Sequence, residues 1–253
     1  MAKITVDLGA PIKRLSTGIA GLDDMLYGGI PEGSQNMIIG DSGSGKTLLS
    51  FQIAYNAARS GIPATILTID QTANDLLRNA LSAFPGFTDA KELMDKGLLN
   101  IVEMELLEEF KSRESITYFI SEIVKGVRMN DSKLLVFDSL SVLRALSADD
   151  RSFTRMVNYM VESFRNVGIT SIITMEIQNG QGDRHKAPGL YEDSMFDGII
   201  KLSNITKAGV TTHSASIVKM RFSKYKTASA QLSVTPAGIV IKSATRLAGD
   251  EMQ

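Results

Sequence analysis

The run Gly40-Asp41-Ser42-Gly43-Ser44-Gly45-Lys46-Thr47 places three glycines, a lysine and a hydroxyl at fixed spacing. It satisfies G-x-x-x-x-G-K-[ST], a pattern with a physical mechanism when it joins a buried strand to a helix. The glycines let the backbone wrap, so that its N–H groups and the helix N-terminus converge on phosphate oxygens. The lysine at the seventh position reaches the β- and γ-phosphates, and the following hydroxyl is a ligand for Mg²⁺. Ser42, Gly43, Ser44, Gly45, Lys46, Thr47 and Leu48 are therefore the candidate nucleotide-binding residues, with Thr47 also a candidate metal ligand. The implied ligands are ATP and Mg²⁺.

Two further positions suit the same chemistry. Asp138 follows the apolar run Leu134-Leu135-Val136-Phe137 and is expected to end a strand beside the one that feeds the loop, as the second metal ligand. The alternative is a carboxylate that caps the turn. Hydrolysis would also need a group that orients or deprotonates water, and the strand after the loop's helix ends in Asp70-Gln71. Both are candidate catalytic residues, although only Asp70 could act as a base; the competing reading is that Asp70 or Thr72 caps the next helix.

These positions require an α/β framework. Short runs rich in Ile, Val and Leu alternate with segments of helical period, the pattern of a parallel sheet covered on both faces. Strands are expected at Asn36 to Ile39, Ala64 to Ile69, Leu98 to Val102, Leu134 to Phe137 and Ile169 to Met175. Helices are expected from the loop to about Arg59, from Thr72 to Phe84, and in two amphipathic stretches. One of these stretches carries Ile116, Phe119, Ile120, Ile123, Val124 and Val127; the other carries Phe153, Met156, Val157, Met160, Val161 and Phe164. Beyond the Gly-rich loop Asn179 to Gly189 the pattern changes to consecutive strands at Gly198 to Leu202, Ser214 to Phe222, Ala230 to Val234 and Ile239 to Lys242.

Composition narrows the function classes. The chain has 253 residues, 43% hydrophobic and 22% charged, and no cysteine, which suits one large domain and excludes disulfides and thiolate metal sites. The two histidines, His185 and His213, lack carboxylates at ligand spacing and read as surface residues. No stretch of about 18 consecutive apolar residues occurs, and Met1 to Asp7 lacks the features of a signal peptide, so the chain reads as cytoplasmic. The net charge of −1 conceals an asymmetry, because Gly198 to Gly249 contains no Asp or Glu but carries Lys201, Lys207, Lys219, Arg221, Lys224, Lys226, Lys242 and Arg246. This stretch is either a contact surface or a solvated face balanced by the acid-rich Asp89 to Glu122.

With these residues placed, the chain resembles the KaiC-like branch of the RecA-superfamily ATPases along nearly its whole length. The resemblance rests on Arg14-Leu15-Ser16-Thr17-Gly18-Ile19-Ala20-Gly21-Leu22-Asp23, Gly28 to Ser34, Leu135 to Ser141, Thr174-Met175-Glu176, Glu192 with Asp197 to Leu202, and Val218-Lys219-Met220-Arg221. It implies a RecA-like P-loop fold with a mostly parallel sheet, helices on both faces and a C-terminal antiparallel β extension. One domain over 1–253 is expected, divided into a lead-in segment (1–33), a P-loop core (34–204) and a C-terminal β region (205–253). It also implies a homo-oligomer, a hexameric ring in which Lys219 and Arg221 reach the neighbour's triphosphate as catalytic fingers. Ser82, Ser223 and Tyr225 fall near positions that touch base or phosphates.

Two departures qualify the implied activity. Family members that hydrolyse ATP commonly carry two glutamates where this chain has Asp70-Gln71, and Gly-Thr with a histidine where it has Phe222-Ser223-Lys224-Tyr225. Slow hydrolysis therefore competes with a non-hydrolysing ATP/ADP switch that acts on a regulatory protein partner. A third reading is a single-stranded-DNA-binding ATPase using Arg184-His185-Lys186, opposed by the acidic Asp149-Asp150. Ser194 stands where clock members carry a phosphorylated pair.

Overall fold

The computed structural model describes residues 11–104, 113–177, 194–207 and 210–243. The Gly-rich loop with Arg184-His185-Lys186, Glu192 and Arg246 lies outside them. The chain opens with β1 (Arg14–Leu15), α1 (Ala20–Met25) and β2 (Ile30–Pro31), with β1 and β2 paired antiparallel. Asp23 organises this segment by accepting the Thr17 amide at 2.8 Å, the Thr17 hydroxyl at 2.7 Å and the Ser16 hydroxyl at 2.6 Å.

The core follows as β3 (Gln35–Gly40), α2 (Lys46–Arg59), β4 (Ala64–Thr68), α3 (Ala73–Ala83), α4 (Ala90–Asp95) and β5 (Leu99–Glu103). It continues through α5 (Arg113–Met129), β6 (Leu134–Asp138), α6 (Leu140–Leu146), α7 (Asp150–Asn166) and β7 (Thr170–Glu176). Four strands complete it: β8 (Gly198–Lys207), β9 (Val210–Met220), β10 (Ala230–Thr235) and β11 (Gly238–Ser243).

Nine strands form one sheet in the order β11-β10-β9-β8-β3-β7-β6-β4-β5. The six from β8 to β5 run parallel, and β9, β10 and β11 extend the sheet antiparallel. The expectation that Asp138 ends a strand beside β3 is corrected here, because β7 pairs with both β3 and β6 and separates them. The C-terminal ends of β3, β7, β6 and β4 nevertheless lie side by side, where open α/β sheets bind ligands.

Both faces of the central parallel strands β3, β4, β6 and β7 are buried, which explains their unbroken apolar runs, whereas β10 alternates buried and exposed residues. On one face Ile38, Leu134, Val136 and Ile172 pack with Leu49 and Ile53 of α2. On the other, Met37, Leu135, Phe137 and Ile173 pack with Phe119 and Ile120 of α5 and with the stripe of α7. All six expected stripe residues of α7 are buried, each contributing roughly 1.5–3 kcal/mol relative to exposure. Met156 and Met160 are core residues.

The termini of the helices resolve two capping questions. Thr72 caps α3, accepting the Asp75 amide at 3.0 Å, and Asp149 caps α7, accepting the Ser152 amide at 2.6 Å. Strand β9 stops at Met220, short of the expected Phe222, because Phe222 turns the chain with φ +62°. His213 is half-buried and bonded through Nδ1 to Asn204 at 2.7 Å.

Candidate nucleotide site

The loop between β3 and α2 owes its shape to the glycines. Gly45 caps α2 with φ +91°, and Gly43 has φ +70°, both in the left-handed region that disfavours side chains. Ser42 and Gly43 are exposed, and Ser44, Gly45, Lys46, Thr47 and Leu48 are buried to differing degrees. The Ser44 hydroxyl is buried without a hydrogen-bond partner, which marks a polar atom available to a ligand. Lys46 Nζ donates to Gly40 O at 2.9 Å and Asp41 O at 2.8 Å. An ammonium has three donors, so one remains. Burial pushes the Lys46 pKa down, against the opposing influence of Glu176, Asp138 and Asp41. An additional anion at this point would relieve that penalty.

Side chains from three elements meet beside Lys46. Thr47 donates to Asp138 Oδ2 at 2.8 Å, and Thr174 of β7 donates to Asp138 Oδ1. The sheet register explains the second contact, since Phe137 pairs with Ile173 and so sets Thr174 level with Asp138. Asp138 is 2% exposed, and the hydroxyls of Thr47 and Thr174 satisfy both its oxygens. Ser139 donates to Asp70 Oδ2 at 3.5 Å, bringing the end of β4 to the same place. Burial first, and then the charge of Asp138, raise the Asp70 pKa from its ordinary value. Gln71 points elsewhere in its contacts: its side-chain oxygen accepts from Asn79 at 3.3 Å, and its carbonyl from Thr68 at 3.0 Å. Glu176 ends β7, with its amide bonded to Ser141 at 2.9 Å.

The remaining candidates lie apart from this cluster. Met220 pairs with Gly198, which is level with Asn36, whereas Gly40 is level with Leu202. Lys219, level with Met37, and Arg221, one residue beyond Met220, therefore lie toward the opposite end of the strands from the glycine loop, roughly 10 Å and 16 Å away along them. Lys219 Nζ donates to Phe196 O at 2.7 Å, and Arg221 contacts Asp197 and Ser194 O. Ser223 accepts from Arg14 Nη2 at 2.9 Å, and the Tyr225 hydroxyl donates to Val218 O at 3.2 Å. Ser82 is exposed in the last turn of α3, about 15 Å along the helix from Thr72. Within the basic stretch, Lys226 pairs with Asp24 and Arg221 with Asp197.

The sequence profile of the KaiC ATPase family matches residues 15–246. The chain belongs to this family. It is 27% identical to the circadian clock oscillator protein KaiC of Rippkaea orientalis, over 95% of this chain and 46% of that protein. It is also 27% identical to a UPF0273 protein of Aeropyrum pernix, over 91% of this chain and 94% of the relative. The fold is similar to the crystal structure of a KaiC-like protein from Pyrococcus horikoshii, with TM-score 0.77 and 25% identity, covering 91% of this chain and 99% of that one. The KaiC-like chain spans under half the length of the circadian KaiC relatives it matches.

Family membership makes the KaiC-like chain a nucleotide-binding ATPase-family P-loop protein with a RecA-like fold. The donor set is compatible with Mg²⁺, which is held by one or two carboxylates together with substrate phosphates rather than by an all-protein cage. Among the described residues no group of three His, Cys, Asp or Glu could form such a cage, and the hydroxyl–carboxylate pair Thr47–Asp138 supplies hard oxygens instead. Sequence reasoning did not anticipate Thr174 as a partner of Asp138. Its signal was a polar residue within the apolar run of β7, next to a strand whose register only the fold reveals. No helix among the described residues is long and apolar enough to cross a membrane.

Proposed function

We propose that this KaiC-like chain binds ATP with Mg²⁺ and hydrolyses it slowly at a site completed by a neighbouring copy of the chain. The observation that carries the reading is the convergence of Lys46, Thr47, Asp138 and Asp70 at adjacent strand ends. In this reading the amides of Ser42 to Leu48 cradle the phosphates, Lys46 binds the β- and γ-phosphates, and Thr47 and Asp138 hold the metal. The metal neutralises charge that develops on the phosphoryl oxygens. Asp70, ionised, accepts a proton from the attacking water, and Ser139 fixes its carboxylate. Glu176 places a second negative charge near Lys46.

Lys219 and Arg221 complete the site from the neighbour. The separation of Arg221 from the loop of its own chain supports this assignment, because no side chain spans about 16 Å. A ring satisfies both ends of the protein at once, each glycine loop meeting the Lys219–Arg221 end of the next copy. Ser82, Ser223 and Tyr225 are assigned to the rim around the base.

Binding and turnover are tested separately. Lys46→Ala is expected to abolish binding of a fluorescent ATP analogue, whereas Arg221→Ala is expected to spare binding and to lower kcat by about 10³-fold or more. Wild-type turnover by assembled Arg221→Ala would remove the trans assignment. The uncharged Gln71, whose side chain bonds Asn79, favours a second reading, a non-hydrolysing ATP/ADP switch that signals to a regulatory protein, because Asp70 is then the one acidic group of the pair. Single-turnover cleavage of bound ATP above the solution background would exclude that alternative.

A further inference from the structure

Asp197 is a carboxylate whose side chain is 3% exposed, at the start of β8, and two guanidiniums share it. Arg165 of α7 donates through Nη2 to Oδ2 at 3.2 Å and Oδ1 at 3.4 Å. Arg221 approaches Oδ1 through Nη1 at a looser 3.5 Å, and its Nη2 donates to Ser194 O at 2.9 Å. The Gln35 amide supplies a further donor at 3.0 Å. Arg165 is also held by Glu162 at 2.6 Å. Arg221, with a side chain 44% exposed, is the less constrained of the two, and its backbone amide is fixed to Asp197 O at 2.7 Å. Both guanidiniums border a cleft of about 400 Å³ that Arg155 and Asn158 also line.

A buried carboxylate with one cation strongly resists losing it. With two cations, one can leave. We infer that Arg165 is a resident counter-ion for Asp197 that frees the Arg221 guanidinium to engage a neighbouring subunit's triphosphate. Arg165 is thus a positioning residue, acting through Asp197 on Arg221. When Arg221 swings into the cleft, its backbone stays anchored to Asp197 O while Arg165 and the Gln35 amide continue to satisfy the carboxylate. The inference rests on the trans reading above and adds the device that makes the finger available.

The test is a double-mutant cycle between Arg165→Gln and Asp197→Asn on the full chain. It is read by kcat and by the protein concentration at which ATP–Mg²⁺ drives half-assembly in sedimentation velocity. Without Arg165, Arg221 becomes, among the described residues, the only cation paired with the carboxylate. Arg165→Gln is therefore expected to lower kcat and raise the half-assembly concentration, each at least about tenfold, the scale set by leaving a buried charge unpaired. In the Asp197→Asn background the same change is expected to alter either quantity less than about twofold, because no buried charge remains to hold Arg221.

Equal losses in both backgrounds, or no loss with Asp197 intact, would overturn the inference. If Arg165→Gln alone fails to fold, the comparison of the double variant with Asp197→Asn decides the matter, a tenfold difference between those two contradicting it. Arg221→Ala in the same assays separates the two levels. If that variant assembles and turns over as wild type, the trans reading fails and this inference fails with it. If it is impaired while Arg165→Gln is not, only this inference fails.

Discussion

Asp70 carries the chemical question at the residue scale. An aspartate is one methylene shorter than a glutamate, and a displacement of about 1 Å can cost on the order of 10²-fold in rate. The double substitution Asp70→Glu with Gln71→Glu is therefore expected to raise the single-turnover rate at least about tenfold. An unchanged or lower rate would show that reach does not limit this site. The raised pKa of Asp70 has its own consequence. A base must be ionised, so activity is expected to fall on acidification at a higher pH than an unperturbed aspartate would give, and the inflection is expected to vanish in Asp70→Asn. For stability the sign is opposite to that of a salt-bridged acid. A folded pKa above the unfolded one makes ionised Asp70 unfavourable once the pH exceeds the unfolded value, so Asp70→Asn is expected to stabilise the nucleotide-free protein at neutral pH, measured as a rise in Tm.

Short contacts at the scale of elements hold the antiparallel extension of the sheet against the lead-in segment. A Cβ on Gly21 of α1 would lie 1.8 Å from Ile241 O of β11, so Gly21→Ala forces α1 off the sheet. Overpacking of this kind costs roughly 1–3 kcal/mol, and equal denaturation midpoints for the variant and wild type would refute the packing argument. Thr72→Ala removes the cap of α3 and is expected to cost about 1 kcal/mol, measurable by urea denaturation. The turn after β9 is tied back by Arg14 to Ser223 and by Asp24 to Lys226. The glycine loop, β6 and the stripes of α5 and α7 were legible in the sequence, because each shows its period or its chemistry locally. The elements α1, α4 and α6 were not, since at six or seven residues they are too short to display a helical period. The placement of β7 between β3 and β6 was not legible either. Strand order is a tertiary property that no apolar run encodes, and with it went the contact between Thr174 and Asp138.

Over the whole molecule the sheet acts as a spacer. The length of its parallel strands sets the glycine loop and Asp138 at one end and Lys219, Arg221, Asp197 and Arg165 at the other. In the proposed reading neither end is a complete site by itself. The sequence suggested this division only through resemblance to KaiC-like proteins; the register of β3, β8 and β9 gives it a physical reason. The direct test is complementation between two disabled subunits. Lys46→Ala retains the finger end but loses its own nucleotide, and Arg221→Ala retains the nucleotide but lacks the finger. Phosphate release is measured for each alone, and for their mixture after co-assembly with ATP and Mg²⁺. A site shared between neighbours predicts that the mixture turns over ATP faster than the sum of the two separate samples, whereas a co-assembled mixture no faster than that sum would contradict it.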